Sequence, residues 1–507
     1  MKKIISLVIT LTMALSLLAL VPMNVSAAWG GGIATAYSGG TGTEADPYLI
    51  GSANELALLA NTVNSNDTCE GKYFKLTNDI DLGGVAWDPI GNYANKTEIF
   101  KGHLDGDGYT VSGLNVNSGS TYAGLFGRIV SATVKNLNVK GVLVTSVVLD
   151  KTTYVGGIVA YGIDGTQVIN CTAEIELVKG TTVGGVIGRM QNTSANAEWN
   201  KVTGCFFSGN VEGVSIKNSF AGGIIGVAGA AVVSYCGNSG DVTSPGATTL
   251  GLAGGVVACQ GAESVTAHIR NCFNTGNISI TSTCSSTFAG GIVGRAAHVQ
   301  DFIDMADVAN CFSVGSVTVK DENGQDVDGA AGSLIGHIRY LATVSNCYTN
   351  IPLTEMSEVG TDATASLEAN SVTVLTDAQM KGAAAVTAMK LNEAWVAGDS
   401  YPTIDVAKAL TVVDEPAVEG TTTAELEQTT EPTPEETTTA EPEVTTPEPT
   451  PQVTTGEQTT PAPDDEPVST DKPNGPNIFV ILIVAVIAVA VVLIVVVVVT
   501  EKKKANK

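Results

Sequence analysis

The sequence predicts an all-β fold: a right-handed parallel β-helix with small helical caps, followed by a disordered stalk and one transmembrane helix. Three observations carry that prediction. A glycine-rich apolar hexapeptide recurs seven times, as "AGLFGR" at Ala123, "GGIVAY" at Gly156, "GGVIGR" at Gly184, "GGIIGV" at Gly222, "GGVVAC" at Gly254, "GGIVGR" at Gly290 and "GSLIGH" at Gly332. The copies stand 33, 28, 38, 32, 36 and 42 residues apart. Downstream of each, one column holds Leu137 and then Cys171, Cys205, Cys236, Cys272, Cys311 and Cys347. Between them no segment has the apolar period of a helix, and Gly, Asn and Asp turns recur instead. Ala28 to Ala409 is too long for a typical single compact domain, yet no Pro-rich linker divides it; an elongated repeat array resolves the conflict.

The elements follow in chain order. Residues 1–27 read as a secretory signal peptide: Lys2 and Lys3 precede an apolar run that ends in the small residues Ser26 and Ala27. Residues 28–128 form an N-terminal cap and the first coils. Here "SANELALLANTVN" sets Ser52 and Glu55 in capping-box spacing, with Leu56, Leu59, Ala60 and Val63 on one face, so a short helix is predicted to lid the open end of the first coil. Residues 129–374 hold the repeats, each read as three short strands separated by turns. Three strands with short corners coil into a parallel β-helix, and the right-handed crossover is the default.

A column that accepts Leu or Cys is apolar and points inward. The Asn before it (Asn136, Asn170, Asn271, Asn310, Asn346) is expected to stack its amides at a corner, and Gly209, Gly240, Gly276 and Gly315, four residues after the Cys, mark a turn into the next strand. The glycines of the hexapeptide are expected where a strand needs unusual backbone angles or close approach. A phosphate loop is excluded, because no helix-forming segment and no Lys-Ser or Lys-Thr follows any copy.

Residues 375–409 are read as a C-terminal cap, with Met389, Leu391 and Trp395 covering the far end. Residues 410–477 are a Thr, Pro and Glu tract that cannot bury enough surface to offset its ordering entropy, and so form an extended stalk. Residues 411 to 475 carry 16 Asp and Glu against one Lys, so most of the chain's net charge of −25 belongs to the spacer. Ile478 to Val499 is an unbroken apolar stretch of 22 residues, long enough to cross a lipid bilayer as one helix. The tail 500–507, with Lys502, Lys503, Lys504 and Lys507, is placed in the cytoplasm by its positive charge, leaving the ectodomain outside.

"AGLFGR", "GGVIGR" and "GGIVGR" resemble the GLUG motif found in arrays on bacterial surface proteins. The segments "GGTGTEADPYLIGSANELALLANTVN" and "LTDAQMKGAAAVTAMKLNEAWVAGDSYPTI" resemble those that open and close such arrays, so the resemblance spans about Gly39 to Ile404. It implies an extracellular β-helix, in some members beside peptidase or adhesin regions, and it implies no chemistry of its own.

Catalytic signatures are sparse. The four histidines, His103, His268, His298 and His337, lie in no HExxH, and no GxSxG is present. Without CxxC or paired Cys and His, no metal or cofactor is expected, and no catalytic residue is assigned. Stacked cysteines would lie within disulfide range, although a buried small-hydrophobe role fits the column better. "HLDGDGYTV" around Asp105 and Asp107 reads as a turn and not a calcium loop. Arg128, Arg189 and Arg295 share a column that would serve polyanion binding, or simply make a solvated edge. The two longest loops contain Trp199, and His298, Asp301, Asp304 and Asp307, and are the places for a ligand site. The expected function is a membrane-anchored surface protein displaying a β-helix for adhesion or for binding a glycan or a partner protein, with no nucleic-acid partner. A polysaccharide lyase or hydrolase on the same scaffold, and a passive surface spacer, are the alternatives.

Overall fold

The computed structural model describes residues 29–412, apart from 149–150, 195–196, 215–216, 246–248, 262–266, 282–283, 285, 298–305, 340–341, 352–358 and 363–371. The signal peptide, nearly all of the stalk, the 478–499 segment and the tail lie outside the described residues. Among the described residues no helix is long and apolar enough to cross a membrane.

Each repeat makes one turn of a parallel β-solenoid. In the second turn Tyr154–Gly156, Val159–Ile163, Gln167–Ile169 and Thr172–Gly180 follow one another around the coil, each pairing in parallel with its equivalents in the turns before and after. Stacking builds sheets of seven, eight, ten and thirteen strands. The expected three strands per turn are therefore corrected to four. The hexapeptide straddles a corner: its first residue ends a strand of the seven-stranded sheet, and its last residues open one of the eight-stranded sheet.

That corner explains the glycines. The backbone at Gly157 is not left-handed, so conformational freedom is not the reason for it. A Cβ there would lie 2.4 Å from the Gly185 carbonyl oxygen and 2.8 Å from Ile175 Cδ1 across the coil. A residue without a side chain lets successive corners nest, and among the seven copies the last alone departs, with Ser333 in this position. They nest through a hydrogen-bond ladder in which Gly157 donates to Gly185 (3.1 Å), Gly185 to Gly222 (3.1 Å), Gly223 to Gly254 (3.0 Å) and Gly255 to Gly290 (3.1 Å).

The six cysteines of the column are fully buried, as is Leu137 ahead of them, and all nine cysteines of the chain are free thiols. Their sulfurs face backbone carbonyls; Cys171 Sγ lies 3.3 Å from Ile169 O and 3.6 Å from Val134 O. Burial drives the thiols of Cys171, Cys272 and Cys347 well above their ordinary pKa. The preceding asparagines occupy a left-handed corner, with φ between 49° and 54°, which Asn tolerates better than other side-chain-bearing residues. Amide stacking occurs there between Asn170 Nδ2 and Asn136 Oδ1, at 2.8 Å. A second, fully buried ladder lies two residues after the Cys. Asn238 Nδ2 donates to Asn274 Oδ1 at 2.8 Å, and Asn274 Nδ2 to Ser313 Oγ at 3.3 Å. These amides also bond to Gly240 and Gly276, stapling the break that divides the long strand in the later turns.

The helix Ala53–Asn64 forms as expected, with Ser52 as its N-cap, and buries Leu56, Leu59, Ala60 and Val63 in the same core as the first coils. The C-terminal segment differs from expectation. It lies along the flank of the thirteen-stranded sheet and not across the end, packing Met380, Met389 and Trp395 on the outward column Phe273, Phe312 and Tyr348. Asn392 reaches back to the Tyr235 hydroxyl at 2.8 Å. Trp395 is the reason: its ring must find partners, and the outward aromatic column supplies them, 6.0 Å from Phe273 and 5.5 Å from Phe312.

Candidate functional site

Solenoid stacking converts residues one turn apart into neighbours, so sites are sought on outward ladders. Of the loop residues singled out by sequence, His298, Asp301 and Asp304 lie outside the described residues, while Trp199 and Asp307 are described. Both flank the ten-stranded sheet. Trp199 immediately precedes the strand Asn200–Thr203, and Asp307 lies on Ala306–Ala309, just after the second loop. Between them the strand Ala267–Arg270 carries His268 and Arg270.

These four side chains come together. The Trp199 indole stacks on the His268 imidazole, centroids 5.0 Å apart and planes 11° from parallel. In the sheet register His268 stands directly opposite Asp307. The Asp307 carboxylate accepts from His268 Nδ1 and, at 2.7 Å, from Arg270 Nε. The three charged or ionisable side chains keep 19%, 16% and 15% of their surface for His268, Arg270 and Asp307, enough to meet a ligand at the edge of the indole. Gln260, fully buried beneath, donates to Ala267 O at 2.6 Å and to Asp307 O at 3.0 Å, which pins adjacent strands. Among the described residues no hydroxyl or thiol hydrogen-bonds to His268. The arrangement is a flat aromatic plate beside a fixed hydrogen-bonding cluster. His268 and Arg270 were not singled out by sequence; their signal is that His268 shares the column of Asp307 and Arg270 lies two residues on along the same strand face, visible only once the turn lengths are known.

The other sequence candidates resolve differently. Asp105 belongs to a turn: its carboxylate accepts from Asp107 N (2.9 Å) and Asn136 Nδ2 (2.9 Å) and pairs with Lys135 at 3.3 Å. Beside it a hollow of about 530 Å³ is lined by Glu44, Tyr73, Lys75, His103 and Lys135, with His103 stacked on Tyr73 at 4.5 Å. Burial holds His103 below its ordinary pKa. Lys75 and Lys135 are already neutralised by Asp107 and Asp105, which leaves this hollow little unspent charge.

The arginine column occupies an outward ladder of the eight-stranded sheet, Arg128, Tyr161, Arg189, Val227, Cys259, Arg295 and His337 in successive turns. It runs beside Tyr122 and Tyr154 of the seven-stranded sheet. Tyr154 stacks on Tyr161 at 4.9 Å, and the Arg128 guanidinium lies 4.4 Å over the Tyr93 ring and 5.4 Å over Tyr161. Burial, opposed by the neighbouring guanidiniums, pushes the Tyr161 phenol up to about 12.

The fold places the chain in the class of parallel β-solenoids. No family model matches it. Over 117 residues it is 39% identical to the "Putative Gly-rich membrane protein" of Evansella cellulosilytica, a stretch that covers 22% of this chain and 13% of that protein. Over 178 residues it is 33% identical to Halomucin of Haloquadratum walsbyi, covering 32% of this chain and 2% of that protein. The chain thus spans only a small fraction of these curated relatives. Among solved structures, a "putative immunoglobulin A1 protease" from Bacteroides ovatus aligns with a TM-score of 0.46 at 19% identity, over 73% of this chain and 95% of that one.

Proposed function

We propose that this chain is a bacterial surface protein of the GLUG-repeat kind, held in the membrane by residues 478–499. Its solenoid, carried outward on the Thr/Pro/Glu stalk, binds a glycan or a partner surface protein. The observation that carries the binding reading is the cluster of Trp199, His268, Arg270 and Asp307. Trp199, just before one strand, and His268, Arg270 and Asp307, on two later strands of the same sheet, together present an indole plate beside oriented donors and an acceptor. A sugar ring stacks on such a plate while its hydroxyls meet the polar rim. The matched stretch of a relative named as a membrane protein, the signal-like N-terminus and the apolar C-terminal run support the surface placement.

The test is a glycan array probed with the detergent-solubilised full chain and with Trp199→Ala, products being analysed in the same wells. Binding of at least one glycan, weakened about tenfold or more by the substitution, is expected. Release of cleaved products would move the assignment to a lyase or hydrolase, and absence of any ligand would leave a spacer.

A further inference from the structure

The ten-stranded sheet keeps an accessible outward column along its length. In the sheet register this column begins with Tyr73 and His103, continues through Gln167 and Lys201, and reaches His268. From Tyr73 to His268 none of its residues is buried. The other sheets are interrupted. The outward column of Tyr154 contains buried Thr182 and Leu252, and that of Arg189 contains buried Val227 and Cys259. On the thirteen-stranded sheet Phe273, Phe312 and Tyr348 lie under the C-terminal segment.

Two aromatic clusters stand on the open column. At one end the Tyr73 ring stacks on His103, and both line the hollow of about 530 Å³. At the other the Trp199 indole stacks on His268. His103 and His268 are five strands apart in the sheet, about 24 Å along the axis at about 4.8 Å per strand. Between them Thr133 and Gln167 face outward and, among the described residues, spend no side-chain hydrogen bond on the protein.

The charges of this face are closed locally. Lys75 pairs with Asp107 at 3.0 Å, Lys135 with Asp105 at 3.3 Å, and Arg270 with Asp307 at 2.7 Å. Of the cations on this sheet face Lys201 alone has no carboxylate partner among the described residues. Ions that satisfy one another give little to a polyanion. Aromatic rings and free hydroxyl and amide groups instead suit a ligand that brings apolar ring faces and hydroxyls of its own.

We infer that the outward face of the ten-stranded sheet binds a linear, uncharged polysaccharide laid along the solenoid axis. One stretch is held at Tyr73 and His103 and another at Trp199 and His268, with Thr133 and Gln167 meeting hydroxyls between them. Two separated contacts on one polymer reinforce each other, because holding the first raises the local concentration of the second. The inference rests on the glycan-binding reading and gives that reading a ligand class, a direction and a second point of attachment.

The experiment measures retention of the detergent-solubilised full chain on immobilised hydroxyethylcellulose, glucomannan, pullulan and heparin. Retention on at least one of the three neutral polymers, unchanged at high salt and greater than on heparin, is expected. The free polymer should elute the chain at a sugar concentration about tenfold or more below that needed with its disaccharide, which reaches one cluster alone. Trp199→Ala and Tyr73→Ala should each weaken retention about tenfold. Tyr73 is half-buried in the first coils, so Gln167→Ala is the second variant. It lies away from both clusters, and should keep the wild-type melting temperature while weakening polymer binding about fivefold. No retention on any neutral polymer, loss of retention at high salt, equal elution by the disaccharide, or wild-type binding by Tyr73→Ala or Gln167→Ala overturns the inference. If Trp199→Ala alone weakens binding, the axial site fails and the Trp199 site stands; if nothing binds on the columns or on the array, both fail.

Discussion

Cys272 sits between Cys236 and Cys311 in a column where every side chain is fully buried. Its amide donates to Cys311 Sγ at 3.4 Å, and its own thiol lies 3.2 Å from Arg270 O. Cys272→Ala leaves a small void and should cost on the order of 1 kcal/mol, whereas Cys272→Asp puts an unpaired charge into a dry stack and should cost several times more. Melting temperatures of the two variants, with thiol labelling of the native protein mapped by peptide, check this; slow labelling at Cys272 and a marked Ala–Asp gap are expected. The column was legible in sequence because Leu137 and the cysteines exchange freely, which only an inward apolar position allows. Asn238 was not. A polar residue two positions after the Cys reads as turn chemistry, and only stacking on Asn274 reveals that its amide is buried and satisfied. Trp199 was picked out by its loop, but its partner His268 lies two strands further along the sheet, and unequal turn lengths hide that alignment from a single sequence.

At the scale of elements, the N-terminal helix was the most readable part, since a capping box and an apolar stripe are local signals. Glu55 accepts from Gly51 N at 2.8 Å, from Ser52 Oγ at 3.0 Å and from Ser38 Oγ. Burial pushes its pKa up, but these bonds together outweigh burial and hold the carboxyl below its ordinary value. A carboxyl depressed in the folded state contributes stability above its unfolded pKa, about 4.3, and loses that contribution as the pH falls through the folded value. Glu55→Ala should therefore cost about 1 kcal/mol at pH 7, and the deficit should shrink as denaturant melts are taken toward pH 3. A deficit independent of pH would mean that the carboxylate charge plays no part in the cap. The corners between strands were less readable. A Gly-Gly pair inside an apolar run carries no polar turn residue, so the four-sided cross-section was taken for three; the bend is dictated by the close approach at Gly157, which involves the next turn and not the local sequence.

Over the whole molecule, a solenoid contacts itself only between adjacent turns, and stability then sums turn by turn unless something crosses several of them. The C-terminal segment does so. Trp395 touches Phe273 and Phe312 of successive turns, Tyr401 lies 6.4 Å from Phe312, and Asn392 bonds to Tyr235 a turn earlier. Sequence could not separate this flank clamp from an end cap, because both bury the same Met and Trp residues and differ only in which surface receives them. The clamp should couple the later turns to one another and leave the earlier ones alone. Trp395 is 5% exposed, so Trp395→Ala removes a buried ring and should cost on the order of 3 kcal/mol within that part of the molecule. Native-state hydrogen exchange resolves the question by location. Amides of Phe273, Phe312 and Tyr348 should exchange faster in the variant, while those of Val155, Val159 and Val168, in a turn the clamp does not touch, should keep wild-type protection. Uniform loss of protection along the solenoid would show instead that the turns already unfold as one cooperative unit, with the flank segment merely adding to it.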